Sequence, residues 1–243
     1  MRPSPFILLA CVAVAAVPTP GRAAEGSSLT LSYEATLVSD YRFRGLSLTD
    51  RGPAAQGGLS VAHASGLYAG LWSSTIQEPG EETDLEIDLS GGYAAELGAV
   101  GLDARATWYV YPSDPALDYV EAGLVLSSTF GPASPSVGVD YVPAQGVTRD
   151  EAGRAHDNLY AYAAIDYALG GTPITLHGRV GRETGAFDLD DRGGKWDWEA
   201  GARLDAGGLE FALSYVDSDA RYPDPRGRNP AGAAVVASIT LAR

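Results

Sequence analysis

From residue 29 onward the apolar residues of the chain recur at every second position. Leu29, Leu31, Tyr33, Ala35 and Leu37 alternate with Thr30, Ser32, Glu34 and Thr36. The pattern returns as Leu85, Ile87, Leu89, Gly91 and Tyr93 against Asp84, Glu86, Asp88 and Ser90. It returns again as Val100, Leu102, Ala104, Ala106, Trp108 and Val110 against Asp103, Arg105 and Thr107. Period two over this length describes a strand with one apolar and one polar face. About 12 such segments are predicted, at 29–42, 54–63, 67–76, 84–95, 100–111, 119–128, 136–143, 158–168, 174–182, 196–204, 209–217 and 233–242. Most are long enough to cross a bilayer as tilted strands, which takes about 9–11 residues. The pattern is weakest over 54–76, where Tyr68, Gly70 and Trp72 compete with Leu67, Ala69 and Leu71 for the apolar face.

The connections alternate in length. His63 to Gly66, Glu96 to Ala99, Thr129 to Pro135, Leu169 to Thr172 and Asp205 to Gly208 are short. Arg44 to Pro53, Ala144 to Asp157, Glu183 to Lys195 and Ser218 to Gly232 are longer and more polar. Short turns at one end and long loops at the other are the asymmetry of an outer-membrane barrel, and an even strand count puts both termini at the short-turn end.

Alternating strands can pack apolar face on apolar face in a β-sandwich or turn that face to lipid in a barrel. Many apolar-face residues are small, such as Ala35, Ala104, Ala106, Ala161, Ala163 and Ala200. A sandwich core must be filled by side chains, whereas lipid tails fill gaps by flowing. Tyr41, Tyr93, Trp108, Tyr141, Tyr167, Trp196 and Tyr215 lie near segment ends on the same face, where amphipathic rings suit the headgroup level. The expected fold is therefore all-β, a closed antiparallel transmembrane β-barrel of about 12 strands. Closure follows from the cost of unpaired backbone groups in hydrocarbon.

Residues 1–23 read as a signal peptide. Arg2 precedes the apolar run Phe6 to Val17, and Gly21-Arg22-Ala23 offers small residues before a cleavage point. Residues 24–243 are then the barrel domain of an exported protein destined for the cell outer membrane. Cys11, the only cysteine, falls in the signal, so stability cannot come from disulfides. The formal charge is −14; without Arg2 and Arg22, 15 basic residues stand against 31 acidic ones, net −16. That balance argues against nucleic acid as a partner.

The polar phase places Glu34, Glu86, Asp88, Asp103, Arg105, Glu121, Asp140, Asp166, Arg179, Asp197, Glu199, Arg203 and Glu210 in the lumen, with His177 nearby. Acids outnumber bases in this set, so the lumen should be acidic and favour cations over anions. The same charges could instead form a salt-bridge network that plugs the barrel. No motif points to catalysis, a cofactor or a metal. His63 and His156 fall in different connections, and Phe187 to Gly194 lacks calcium-loop spacing.

The run Val38-Ser39-Asp40-Tyr41-Arg42-Phe43-Arg44-Gly45-Leu46-Ser47 is followed by Pro53-Ala54-Ala55-Gln56-Gly57-Gly58 and then by His63-Ala64-Ser65-Gly66-Leu67-Tyr68-Ala69-Gly70-Leu71-Trp72-Ser73-Ser74. This stretch resembles the TorF family of porin-like exported proteins, whose typical opening is SDYxFRGxSxT, then PAxQGG, then HxSGxYxGxWxS. The resemblance implies an outer-membrane barrel in the lipid bilayer, inserted by the barrel-assembly machinery, with a porin-like role toward small solutes; it assigns no solute and no binding residue. The chain departs from the common pattern in ending Leu241-Ala242-Arg243 rather than in an aromatic residue. Two further readings stand beside the channel: a closed-lumen structural or binding barrel working through its loops, and a soluble β-sandwich binder.

Overall fold

The computed structural model describes residues 28–77, 84–188, 193–221, 223 and 227–242, so the signal segment lies outside the described residues. In chain order the strands are β1 (Leu29–Val38), β2 (Arg42–Phe43), β3 (Leu46–Ser47), β4 (Ala54–His63), β5 (Leu67–Thr75), β6 (Leu85–Leu97) and β7 (Val100–Val110). They continue as β8 (Tyr119–Ser128), β9 (Ala133–Val142), β10 (Asn158–Ala168), β11 (Ile174–Gly185), β12 (Lys195–Ala206), β13 (Leu209–Ser218) and β14 (Ala234–Ala242). Twelve of these form one closed barrel in which β4 to β14 pair in sequence order and β1 joins β14 to β4. Every neighbouring pair is antiparallel. Strands β2 and β3 stand apart as a small hairpin. The sandwich alternative is thereby removed: two packed sheets would leave edges, and here there are none.

The twelve predicted segments correspond to the twelve wall strands, with ends shifted by a few residues. Turn chemistry fixes the short connections. Gly207 (φ +64) and Gly208 (φ +82) join β12 to β13, supplying the two positive φ values that a tight primed hairpin demands. The ambiguity over 54–76 is resolved by pairing and burial: Trp72 is buried, while Leu67 and Leu71 are exposed.

One face of each strand is exposed and apolar. Leu31, Leu37, Leu67, Val137, Leu213 and Val235 all lie on it, with Leu213 at 57% exposure in the middle of its strand. A continuous apolar belt of this extent is unsuited to water and matches the lipid-facing surface of a transmembrane barrel.

The opposite faces are not uniformly covered. In β8, β10 and β12 the first two inward residues from the loop end are buried (Tyr119 and Glu121, Asn158 and Tyr160, Lys195 and Asp197), and later inward positions become partly exposed. Along these three strands the interior is packed at the loop end and less covered toward the turn end.

What packs it is the first loop. Residues 39–53 do not extend away from the barrel as a polar loop should. They fold inward, and Tyr41, Phe43, Leu46 and Leu48 form an apolar core with Trp72, Ile76, Tyr109, Tyr111, Tyr119, Val142 and Phe187. Three expectations are corrected here. The first strand ends at Val38, not at residue 42. Tyr41 is buried inside, not at the lipid interface; the chain turns inward after Val38 and breaks the phase. Glu183 and Lys195 belong to β11 and β12, not to a loop, and both are fully buried. The other predicted interfacial rings, from Tyr93 to Tyr215, are exposed on the outer face.

Candidate functional site

The inward loop is built as a hairpin with a charged tip. Tyr41 N donates to Thr49 Oγ1 at 3.0 Å and Leu48 N to Tyr41 O at 2.8 Å. Asp40 braces the two arms, accepting from Arg42 Nε and Ser47 Oγ, each at 2.6 Å. Arg42 also reaches the last long loop, donating to Pro230 O and Gly232 O at 2.9 Å. At the tip, Arg44 (φ +43) and Gly45 (φ +86) both take the left-handed backbone of a two-residue primed turn. A glycine suits that region; an arginine is disfavoured there by its Cβ.

The contacts of its side chain explain how Arg44 is held. It is 1% exposed. Its Nη1 donates to Glu183 Oε1 and its Nη2 to Glu121 Oε2, both at 2.7 Å, and Asp140 Oδ2 lies 3.5 Å from Nη2. The guanidinium lies 4.3 Å from the Tyr160 ring centroid and 4.4 Å from that of Phe43. Wall residues hold the carboxylates in turn: Tyr109 Oη donates to Glu121 at 3.1 Å, Asn158 Nδ2 donates to Glu183 at 2.9 Å, and Lys195 Nζ sits 2.6 Å from Glu183 Oε2. Lys195 also donates to the Arg44 carbonyl at 2.8 Å. Buried charges are tolerable only when paired in this way.

Of the sequence-predicted lumen residues, Glu86, Asp88, Asp103, Glu121, Asp140 and Asp197 are buried. Glu86 accepts from Tyr41 and Tyr111. Arg105 bridges Asp103 at 3.2 Å and Asp140 at 2.8 Å. Toward the turn end, Arg203 pairs with Asp166 at 2.7 Å and lies 3.6 Å from Glu210, while Arg179 lies 3.6 Å from Glu199. Glu34 crosses the space left by Gly58. The loop-end members are buried and most turn-end members are partly exposed, with Asp103 buried although it lies near the turn end of β7; the structure does not bring all thirteen together. Sequence reasoning missed Arg44, Glu183, Lys195 and Tyr160.

Glycine supplies the room for these side chains. A Cβ on Gly181 would lie 2.0 Å from Tyr160 Oη, one on Gly138 2.4 Å from the Tyr162 ring, one on Gly123 2.5 Å from Asp140 and one on Gly201 2.7 Å from His177. Each large inward group lies across a glycine of the adjacent strand.

His177 meets Ser214 Oγ at 2.9 Å and Glu199 at 3.2 Å, but both through Nε2, and Nδ1 is buried without a hydrogen-bond partner among the described residues. A nucleophile–base–acid relay needs the two partners on opposite ring nitrogens, so this trio is not arranged as one. His63 bonds Ser65 at a turn, and His156 bonds Asp150 in the loop after β9. Residues 189–192, part of the acidic stretch considered for calcium, lie outside the described residues.

Solved structures share this architecture. The NanC porin superposes with a TM-score of 0.59 at 12% identity, covering 87% of this chain and 98% of that one. The KdgM porin gives 0.58 at 7% identity, covering 86% and 98%. The COG4313 outer membrane channel from Pseudomonas putida F1 gives 0.52 at 12% identity, covering 92% and 98%. At such identities the likeness is one of fold. No curated protein matches the chain in sequence. A family model, however, matches residues 22–240, and by that match the chain belongs to the family described as bacterial protein of unknown function (Gcw_chp).

Proposed function

We propose that the chain is an exported outer-membrane channel for small solutes, cations in preference to anions, held closed by its inward-folded first loop. The observation that carries this reading is the contrast along the barrel axis: charges such as Asp166, Arg203 and Glu210 partly exposed at the turn end, and a loop end stoppered by a hairpin that is not part of the wall. The fold it shares with the NanC and KdgM porins supports it. So does the TorF-like opening motif, whose Ser39-to-Ser47 stretch spans the hairpin. In this reading residues 1–23 are the cleaved signal, the barrel-assembly machinery inserts residues 24–243 into the outer-membrane bilayer, the turn end faces the periplasm, and the protein is not an enzyme.

A second reading has a specific observation behind it. Arg44, Glu183 and Lys195 form a buried, ion-paired network, as a permanently closed barrel acting through its outer loops would require.

Planar-bilayer recording separates the two. A Cβ at Gly45 would lie 2.8 Å from Ser218 Cβ and 3.1 Å from Asp197 Cβ, so Gly45→Val should dislodge the tip while leaving the twelve-strand wall intact. The variant is expected to conduct more than the parent, with a reversal potential displaced toward the potassium equilibrium value in a KCl gradient. A reversal potential near zero would sink the cation preference. A folded but silent variant would sink the channel.

A further inference from the structure

The surroundings of the Arg44 side chain amount to a receptor for the two terminal nitrogens of a guanidinium ion, while Nε has no hydrogen-bond partner among the described residues. Two carboxylates, Glu121 and Glu183, accept from its two terminal nitrogens, and the Tyr160 ring lies at cation–π distance from its carbon. These three groups come from the wall strands β8, β11 and β10, not from the hairpin. Wall residues also orient them: Tyr109 on Glu121, Asn158 and Lys195 on Glu183, and Asp197, which accepts from Tyr160 Oη at 3.0 Å. The pocket is therefore preorganised independently of the group that fills it.

Two observations set the site apart from an ordinary structural ion pair. First, Asp140 Oδ2, 1% exposed at the residue level, faces Arg44 Nη2 at 3.5 Å and has no hydrogen-bond partner among the described residues. The pocket holds more acceptor capacity than its occupant uses. Second, Arg44 occupies it from a left-handed backbone conformation that its Cβ disfavours. The turn is held by the guanidinium's contacts, not by its own preference.

We propose that Glu121, Asp140, Glu183 and Tyr160 form a guanidinium-recognition site in the lumen, that Arg44 fills it as a tethered ligand, and that a free guanidinium-bearing cation competes for it. An ammonium ion is a poorer fit, since it lacks the planar fork that spans two carboxylates and stacks on a ring. The site itself stands on the contacts above; only its role in opening rests on the channel reading.

The test uses the full-length folded barrel in detergent, with Arg44→Ala as host and methylguanidinium as probe. A ligand that binds the folded state raises the temperature at which the folded, faster-migrating gel band is lost. Methylguanidinium at millimolar concentration should raise it by several degrees in Arg44→Ala, while methylammonium and sodium chloride at equal ionic strength leave it unchanged. Adding Glu121→Gln should abolish the gain. If Arg44→Ala does not fold alone, the same comparison is read as the yield of folded band on refolding with each cation. Equal effects of the three salts, or none from methylguanidinium, would overturn the site. In bilayers, methylguanidinium should also raise the conductance of the parent barrel by displacing the hairpin. Stabilisation without any conductance would leave the site standing and overturn the channel reading instead.

Discussion

Arg44 and Glu183 meet at 2.7 Å although 139 residues separate them in the chain. The pair joins the tip of a loop to the wall on the far side of the barrel, and Lys195 shares the same carboxylate at 2.6 Å. One glutamate thus compensates two buried cations.

Glu183→Gln should accordingly be among the most damaging polar substitutions in the chain. Removing one member of a buried ion pair leaves its partner uncompensated, which costs about 3–5 kcal/mol. A clear fall in the temperature at which the folded gel band disappears is expected. A change comparable to that of an exposed acid would show that the network is not buried in the membrane-inserted protein.

The fit between Tyr160 and Gly181 predicts a coupled pair. Gly181→Ala would place a Cβ against the Tyr160 ring, and overpacking of this kind costs about 1–3 kcal/mol. Tyr160→Ala in the same chain should recover part of that loss, because it removes the obstructing ring. Gly178→Ala is the control: it lies on the outer face, with its nearest contact at 3.6 Å, and should be close to neutral. Additive losses in a double-mutant cycle at 181 and 160 would contradict the packing described.

Leu213 tests what the outer face meets. In a bilayer, Leu213→Arg at mid-strand should cost about 2–4 kcal/mol, the expense of a charge at the hydrocarbon midplane. Urea titration of the barrel refolded into vesicles reads this directly. A cost near zero would mean that the apolar belt is not in lipid.

The loop after β9 carries a pH dependence of its own. Hydrogen bonds from His156, the Arg154 backbone and the Arg154 side chain hold the Asp150 carboxyl below the ordinary carboxylate range. A carboxyl whose folded value is depressed stabilises its surroundings above its unfolded value of about 3.9, and that contribution fades as pH falls through the folded value. Exchange of the Arg154 amide, which donates to Asp150 Oδ1 at 2.9 Å, should lose protection upon strong acidification after correction for intrinsic rates. Asp150→Asn should show the reduced protection already at neutral pH.

The wall was legible in the sequence because lipid outside and charge inside impose strict alternation, and a one-residue error would turn every side chain to the wrong face. The hairpin was not. Arg42 and Arg44 make residues 39–53 look like a solvated loop, and period two cannot say that a connection turns inward. A local signal did exist: Phe43-Arg44-Gly45-Leu46 sets a glycine between apolar neighbours, as in a tight hairpin, but with Arg44 where Asn or Asp is usual. Glu183 and Lys195 were hidden for a related reason, since charges at strand ends resemble loop charges until a partner such as Arg44 is known to reach them. The glycines at 123, 138, 181 and 201 lie on the inward phase, yet the side chain that each accommodates belongs to a different strand, and that register cannot be read from one segment.

The graded burial of the inward faces has a consequence for exchange between compartments. In the channel reading, the seated hairpin makes the barrel a cup and not a tube: its lower charges meet one side of the membrane alone. An ion held there would equilibrate with the compartment at the turn end, whatever the composition at the other end. On the proposed opening, the contents released would be those that the first compartment has already chosen.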